Sequence, residues 1–168
     1  MWKKEVTLNK YMLQPGYIYV AKAPTLISTV LGSCVSVVLY DKKKKIGGMN
    51  HFRYPYVKER SKMTPVFGNV STYALINIML ENGSKIKNMI AHLFGGARNP
   101  DISDVDIGKE NAWIAKKILI RKGIEIVSED IGGTFGRKIV FNTSNGEIIV
   151  LKVERLRRCD WYPYQGQR

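Results

Sequence analysis

The sequence predicts an α+β fold, a single domain in which a mixed β-sheet is covered by helices, mainly on one side. Short runs rich in β-branched and aromatic residues outnumber the helical segments and lie before, between and after them. Only two segments repeat their apolar residues at helical spacing. The 168 residues, 45% of them hydrophobic, suffice for one sizeable core, and no repeat or linker divides residues 1–168.

Eight runs are predicted as strands, with turn residues between them. Pro15-Gly16 precedes the first run. Ser144-Asn145-Gly146 separates the last two and predicts a hairpin, because Asn-Gly readily adopts the positive φ angles of a tight turn. Asp41–Lys44 separates the third and fourth runs and predicts another hairpin. The runs are residues 17–21, 25–31, 35–40, 45–52, 89–94, 124–127, 138–142 and 147–153.

The two helical segments have different end signals. The first is predicted to be capped by Asn69 or Ser71 and to end before Gly83. Its apolar positions are Tyr73, Ala74, Ile78 and Leu80. The second follows the acidic segment Ser103–Asp106 and ends before Gly123, with basic residues in its last turns that complement the helix dipole. Its apolar positions are Ile107, Ala112, Ala115, Ile118 and Leu119.

The chain is strongly basic, with 27 lysines and arginines against 14 aspartates and glutamates and a net charge of +13. Such a charge favours a polyanionic partner, either nucleic acid, an anionic membrane surface or an acidic protein. No nucleic-acid-binding motif accompanies it. The run Lys42–Lys45 is either a solvated turn or a docking patch for an acidic partner. Residues 155–168 form a basic, aromatic tail that either packs on the domain or is mobile.

Several classes of protein are not indicated. No apolar run reaches the ~18 residues of a membrane helix, and no signal-peptide pattern follows Met1. Two cysteines are too few for a disulfide framework. The spacing of cysteines and histidines matches no zinc motif, and no P-loop or dinucleotide-binding fingerprint occurs. We therefore expect a cytoplasmic protein with no membrane insertion, no metal and no cofactor.

Cys34 and His51 flank the first predicted hairpin. With the loop at residues 41–44, Tyr40 lies opposite Lys45, and Cys34 lies opposite His51. Directly opposed residues have Cβ atoms about 5 Å apart, close enough for a thiol and an imidazole to share a proton. Such a pair is a nucleophile with its base. The alternative is that both residues are structural, since free cysteine is among the most buried residue types.

The segment Leu31–Val35, followed by Leu39–Asp41 and Ile46–Phe52, closely resembles the CheD family of chemoreceptor glutamine deamidases. The resemblance runs from about Tyr17 to Leu156. Its most specific part is the block that joins Leu-Gly-Ser-Cys to Asn-His. Further matching segments are Phe94–Ala97, Ile107–Asn111, Asp130–Gly133 and Gly136–Phe141.

The resemblance implies that Cys34 is the nucleophile and His51 its base. The family's third member is a threonine six residues before the cysteine, where this chain has Ser28, with Thr29 next to it. Ser28 is therefore predicted to orient His51, with Thr29 as its competitor. We expect a Cys34 thiolate that reacts with alkylating reagents before Cys159 does. Oxyanion or supporting roles are assigned to Ser33, Thr29 and Asn50.

The resemblance also implies a fold and partners. The family is grouped with cysteine hydrolases that include the glutamine-deamidating necrotizing-factor toxins. The implied substrates are glutamines in the cytoplasmic helices of bacterial chemoreceptors, and the implied partner, in some bacteria, is the phosphatase CheC. A monomer that binds no nucleic acid is expected. A glutamyl methyl ester would undergo the same acyl chemistry. The alternatives are a non-catalytic regulator that docks on receptors or CheC, and a basic nucleic-acid-binding protein.

Overall fold

Nine strands in two mixed sheets, together with two α-helices, make up the computed structural model, which describes residues 7–161. The helices are α1 (Gly68–Glu81) and α2 (Ile107–Arg121), and three short 3-10 turns lie at residues 60–62, 86–88 and 158–160. Within the described range, neither helix is long and apolar enough to cross a membrane. The strands are β1 (Asn9–Met12), β2 (Ile18–Val20), β3 (Thr25–Leu31), β4 (Val35–Asp41), β5 (Ile46–Asn50), β6 (Met89–Gly95), β7 (Glu125–Ile131), β8 (Gly136–Asn142) and β9 (Ile148–Val153).

The strands form two sheets where the sequence predicted one. The five-stranded sheet has the order β2-β5-β4-β6-β7 and is antiparallel except for the β6/β7 pair. The four-stranded sheet has the order β1-β3-β8-β9, in which only β1 and β3 run parallel. The α+β class is confirmed, and the single sheet is corrected to two.

The reason for two sheets is that β4 is buried along its whole length. Val35, Val37 and Leu39 pack against α1 and α2 on one face, whereas Val38 and Tyr40 pack on the other face against the four-stranded sheet. Apolar residues on both faces of a strand require a layer on each side. The domain therefore has three layers, with the helices on one side of the central sheet and the second sheet on the other.

Helix α2 forms as the sequence predicts. The Asp106 side chain caps it by accepting a hydrogen bond from the Lys109 N–H at 3.1 Å. All five predicted apolar positions are buried. The β8/β9 hairpin around Asn145-Gly146 is also confirmed.

Helix α1 differs from its prediction at its start and on its buried face. It begins at Gly68 with Phe67 as N-cap, because the Asn69 side chain instead exchanges two hydrogen bonds with the backbone of Val57. The predicted apolar positions are only partly buried, and Leu80 is exposed. Apolar residues surround most of this helix, so their spacing does not identify its inner face. The buried residues are Gly68, Ser71, Thr72, Leu75, Ile76 and Met79.

The β4/β5 hairpin is shifted from the predicted register by two residues. Asp41 remains in the strand and pairs with Ile46, and the loop is Lys42–Lys45. The cause is the Asp41 carboxylate, whose Oδ1 accepts hydrogen bonds at 2.9 Å from the N–H groups of both Lys43 and Lys44. Lys45 closes the turn in the left-handed region, at φ +54°. An aspartate that the sequence marks as a strand breaker thus organises the turn from within the strand.

Asp41 is expected to make stability depend on pH. Burial raises the pKa of its carboxyl, but hydrogen bonds from the N–H groups of Lys44, Lys85 and Lys43 outweigh burial and hold the pKa below its usual value. The carboxylate therefore stabilises the fold above the unfolded pKa of about 3.9, and this contribution is lost as pH falls through the folded pKa.

Replacing Asp41 by Ala should lower the free energy of unfolding at neutral pH by about 1–2 kcal/mol, because the partly buried N–H groups of Lys43, Lys44 and Lys85 lose a charged acceptor. The difference from the native chain should shrink on acidification. Denaturant titration at several pH values measures both effects. Asp104→Ala, in an exposed loop, is the control. An Asp41→Ala penalty that is equal at all pH values would contradict this account.

Candidate active site

The loop that carries Cys34 joins β3 to β4 and is held by its carbonyl oxygens. The carbonyls of Gly32, Ser33 and Cys34 each accept a hydrogen bond from the helical side of the domain or from the end of β6. The respective donors are the N–H of Ala97 at 2.9 Å, Nδ2 of Asn111 at 3.0 Å and the N–H of Gly96 at 2.8 Å. Three successive fixed carbonyls leave the peptide planes at Cys34 little freedom to move.

Gly95 makes this arrangement possible. Its φ of +103° is unfavourable for other residues, and a Cβ at this position would overlap the Cys34 carbonyl oxygen. The Gly95-Gly96 pair therefore lets β6 approach the cysteine loop closely. This is the structural role of the Phe94–Ala97 motif that the sequence singled out.

Cys34 and His51 share a face of the hairpin but are not directly opposite. Val35 and Phe52 form the last pair of the ladder, with mutual N–H···O bonds of 3.1 and 3.0 Å. Continuing this register places Cys34 opposite Arg53 and diagonal to His51. The predicted direct opposition is therefore wrong by two residues. A shift of two preserves the alternation of side chains, so the two residues still lie on the same face.

Thr29 holds the imidazole of His51. Thr29 Oγ1 lies 2.7 Å from His51 Nδ1 and donates its own proton to the Leu13 carbonyl oxygen at 2.8 Å. A hydroxyl has one proton to donate, so Thr29 accepts the Nδ1–H and leaves the lone pair on Nε2. Nε2 is buried and has no hydrogen-bond partner among residues 7–161. With the proton assigned to Nδ1 from this hydrogen-bond pattern, the imidazole is in the tautomer that a general base requires.

Ser28 does not contact His51, so the predicted contact is wrong. Side chains alternate along β3, and Thr29 points inward while Ser28 points to the outer face of the sheet. There the Ser28 hydroxyl lies 3.7 Å from Met12 Sδ. Strand alternation therefore assigns the hydroxyl beside the imidazole to Thr29, one residue nearer the cysteine than the spacing suggested.

Asn50 and Ser33 hold backbone segments around the site. Asn50 is fully buried, its Oδ1 accepts the Val37 N–H at 2.7 Å, and its carbonyl oxygen accepts from the Ser36 hydroxyl. These contacts connect β5 to β4 immediately before His51. Ser33 is also buried and is anchored through its carbonyl by Asn111.

The resting pair is electrically neutral because it is buried. Cys34 is 4% and His51 2% exposed. Burial raises the pKa of the Cys34 thiol to about 12, although the positive charge of Arg53 acts in the lowering direction. Burial, followed by the charge of Arg53, lowers the pKa of His51 to about 3. A thiol pKa raised in this way is contrary to the expectation of a resting Cys34 thiolate.

Residues Leu156–Trp161, here called the C-terminal strap, pack over the cysteine loop. A Cβ on Gly32 would overlap the Asp160 carbonyl group, and Leu156 fills the space beside both Gly32 and Gly136. Asp160 and Trp161 are buried. The basic, aromatic tail predicted at residues 155–168 thus has described residues at the site, whereas residues 162–168 lie outside the described part of the chain.

Asn111, Arg53 and the C-terminal strap were not assigned to the site from the sequence. Asn111 is the last residue of the Ile107–Asn111 motif, and this motif was the only sequence signal that pointed to it.

The remaining histidine and the remaining cysteine, His92 and Cys159, lie in different surroundings. His92 lies on β6 with Nδ1 2.6 Å from the Ser128 hydroxyl. Cys159 is half-buried in the strap.

Comparisons with known proteins connect the chain to the family that its sequence resembles. Residues 55–152 match the family model described as CheD chemotactic sensory transduction. A probable chemoreceptor glutamine deamidase CheD of Sulfurimonas denitrificans is 38% identical over 150 residues, which are 88% of this chain and 96% of the relative. A protein of the same name from Trichlorobacter lovleyi is 37% identical over 145 residues, covering 85% and 90% of the two chains. One from Methanococcus maripaludis is 37% identical over 138 residues, covering 80% and 90%.

Limiting alkylation near neutral pH should label Cys159 before Cys34. Only the thiolate reacts, and the pKa of buried Cys34 is about 12. Removing the strap by ending the chain after Arg155 should speed labelling of Cys34, which peptide mapping can quantify. Trp161→Ala is a milder variant that should act in the same direction. Unchanged Cys34 labelling in both variants would show that the strap does not cover the thiol.

Proposed function

The chain belongs to the CheD family, and we propose that it hydrolyses glutamine side-chain amides of bacterial chemoreceptors with Cys34 as nucleophile and His51 as base. The family relatives are named as chemoreceptor glutamine deamidases. The single observation that supports the residue roles best is the Thr29–His51 contact of 2.7 Å, which leaves the His51 Nε2 lone pair available. Thr29 is the residue that orients His51, as the third member does in other nucleophile–base–orienter triads.

The reaction begins with both groups neutral. His51 Nε2 takes the proton from Cys34 Sγ, and the sulfur lone pair attacks the carbon of the substrate carboxamide. The carbonyl π electrons move to oxygen and form a tetrahedral oxyanion. The backbone N–H groups of Ser33 and Cys34 are the proposed oxyanion donors. Their position is fixed because the carbonyls of the same loop are anchored.

Collapse of the intermediate releases ammonia. The His51 imidazolium gives its proton to the amide nitrogen, the C–N bond breaks, and a thioester to Cys34 remains. His51 then takes a proton from water, whose oxygen attacks the thioester carbon. The C–S bond breaks, the thiolate recovers the proton, and the product is a glutamate side chain. A glutamyl methyl ester would react by the same steps and lose methanol.

A buried site suits a reaction in which Cys34 and His51 start neutral and become charged only during attack. The neutral resting pair has no charge to desolvate, and the charges appear only when the substrate fills the site. Donors that are already oriented then act in surroundings of low polarity, where an ion–dipole interaction is stronger than in water. A substrate glutamine reaches Cys34 only if the covering residues move, and the strap is the segment that we assign to this opening.

The proposal includes the cellular setting. The substrates are the cytoplasmic helices of chemoreceptors, so the protein acts in the cytoplasm, as a monomer, with the phosphatase CheC as a partner in organisms that have it. The cysteine at a strand start, beside a histidine from the neighbouring strand, supports placing the fold with the cysteine hydrolases that include the necrotizing-factor toxins. The excess of basic residues favours association with an acidic protein surface.

Replacing Cys34 or His51 by Ala should abolish ammonia release from a glutamine-bearing receptor fragment. Each loss should cost several orders of magnitude in turnover, and the double variant should be no worse than either one, because the two residues act as a unit. Ammonia assay and mass spectrometry of the fragment measure the conversion of glutamine to glutamate. Cys159→Ala is the matched control and should retain turnover. Binding of the fragment with normal turnover in Cys34→Ala would refute the enzymatic role.

Thr29→Ala should lower turnover by roughly 10²-fold, the typical cost of losing one catalytic hydrogen bond. Thr29→Ser keeps the hydroxyl and should retain most activity. Ser28→Ala is the neighbouring control and should be silent, because its hydroxyl faces away from His51. A damaging Ser28→Ala with a silent Thr29→Ala would show that the imidazole has another partner during turnover.

A further inference from the structure

Arg53 follows Phe52, whose isolated bridge to Val35 places this segment beside the cysteine loop. Val35 and Phe52 are joined by two hydrogen bonds, and extending this register by one residue brings Cys34 next to Arg53. In an antiparallel ladder this next pair is of the non-hydrogen-bonded kind, with Cα atoms about 4.5 Å apart. The Arg53 N–H accordingly turns outward and donates to the Val66 carbonyl at 2.9 Å. The arginine side chain therefore starts beside the nucleophile, on the same face of the hairpin.

Asn111 holds the two residues in this relation. Its Nδ2 group uses one proton for the Ser33 carbonyl at 3.0 Å and the other for the Arg53 carbonyl at 2.9 Å. Asn111 is fully buried on the first turns of α2. One side chain thus fixes the backbone before Cys34 and the backbone at Arg53. The guanidinium carbon of Arg53 also lies 5.9 Å from the centre of the Tyr54 ring, within cation–π range.

The charged groups around Cys34 act on its thiol pKa in opposite directions. Asp160 of the strap opposes thiolate formation, but its carboxylate is paired with Arg157 at 3.2 Å. Arg53 is the cation that favours the thiolate. Besides the proposed base His51, the ionisable groups whose charges act on the Cys34 thiol are Arg53, Asp160 and Cys159.

We propose that Arg53 stabilises the negative charge that develops on Cys34 Sγ during attack, acting as a positioning residue through its charge across the ladder. The inference rests on the proposed roles of Cys34 and His51. In the step concerned, the S–H bond breaks, the proton goes to His51 Nε2, and the electron pair stays on sulfur until the S–C bond forms. A fixed guanidinium in a buried site stabilises that pair more than a mobile cation in water would.

The same charge acts on His51 in the second half of the step. A nearby cation disfavours an imidazolium, which makes the protonated His51 a stronger acid. The proton then passes more readily to the departing amide nitrogen. Arg53 therefore stabilises the negative charge on sulfur and favours delivery of the proton to the leaving group, while it weakens His51 as a base for the Cys34 proton.

The test is the pH profile of Cys34 alkylation in the full-length chain with iodoacetamide, followed by peptide mapping. Arg53→Met removes the charge but keeps the backbone bond to Asn111, and it should move the profile to higher pH by about one unit, a roughly tenfold fall in rate at a given pH. Arg53→Lys keeps a charge and should restore most of the rate. Arg121→Met is the matched control, since it is exposed at the far end of α2 and should leave the profile unchanged.

Two outcomes would overturn the inference. In one, Arg53→Met leaves the alkylation profile in place. In the other, Arg53→Met and Arg53→Lys lower the rate equally and both reduce the thermal unfolding temperature, which would make Arg53 a structural residue. If only Arg53→Met displaces the alkylation profile, and its unfolding temperature is unchanged, the result supports stabilisation of the Cys34 thiolate by the positive charge of Arg53.

Ammonia release separates this inference from the proposed function. If Cys34→Ala is inactive, Arg53→Met should lower turnover about tenfold with little change in KM, because the charge acts on the reacting atoms and not on docking. If Cys34→Ala is inactive and Arg53→Met turns over normally, only the role of Arg53 fails. If Cys34→Ala remains active, the proposed function itself fails, whatever the alkylation profiles show.

Discussion

Strand β4 is buried on both faces, and the helices and the second sheet are needed to cover them. The layers meet at the beginning of this strand, where Cys34 stands. Thr29 reaches the site from the four-stranded sheet, His51 from the end of β5, and Asn111 from the helical layer. No single element carries the chemistry. Loss of packing in the four-stranded sheet or in the helical layer would therefore disturb the hydrogen bonds that hold His51 and the cysteine loop.

The secondary-structure elements that were predicted correctly are those set by neighbouring residues, such as caps and turn residues. Helix α2 has a capping aspartate, a one-sided apolar face and a stop glycine, and it forms as predicted. The β8/β9 hairpin has Asn145-Gly146. By contrast, the inner face of α1 is chosen by packing, because apolar residues surround the helix. The split into two sheets could not be predicted either. An apolar run such as Val35–Tyr40 indicates a strand buried on both faces but not whether helices or a second sheet cover each face.

Sequence spacing was enough to predict some of the site's side-chain contacts and not others. Cys34 and His51 were brought together despite a register error, because an error of two residues preserves the face. The choice between Ser28 and Thr29 depends on a single residue, and alternation in a strand reverses the face at every step. The turn at Asp41 was misplaced because its side chain accepts two backbone N–H groups. The role proposed for Arg53 follows from that corrected register.

The buried, neutral state of Cys34 has a consequence for oxidative damage. Peroxide reacts with thiolates far faster than with thiols, and the first product, a sulfenic acid, requires access to the sulfur. A thiol that is 4% exposed and whose pKa burial raises is protected from this chemistry. The half-buried Cys159 in the strap is the more accessible sulfur. Under the proposed mechanism, Cys34 is sensitive to oxidants only while the site is open and the thiolate exists. Inactivation by peroxide should then follow the number of turnovers and not the time of exposure.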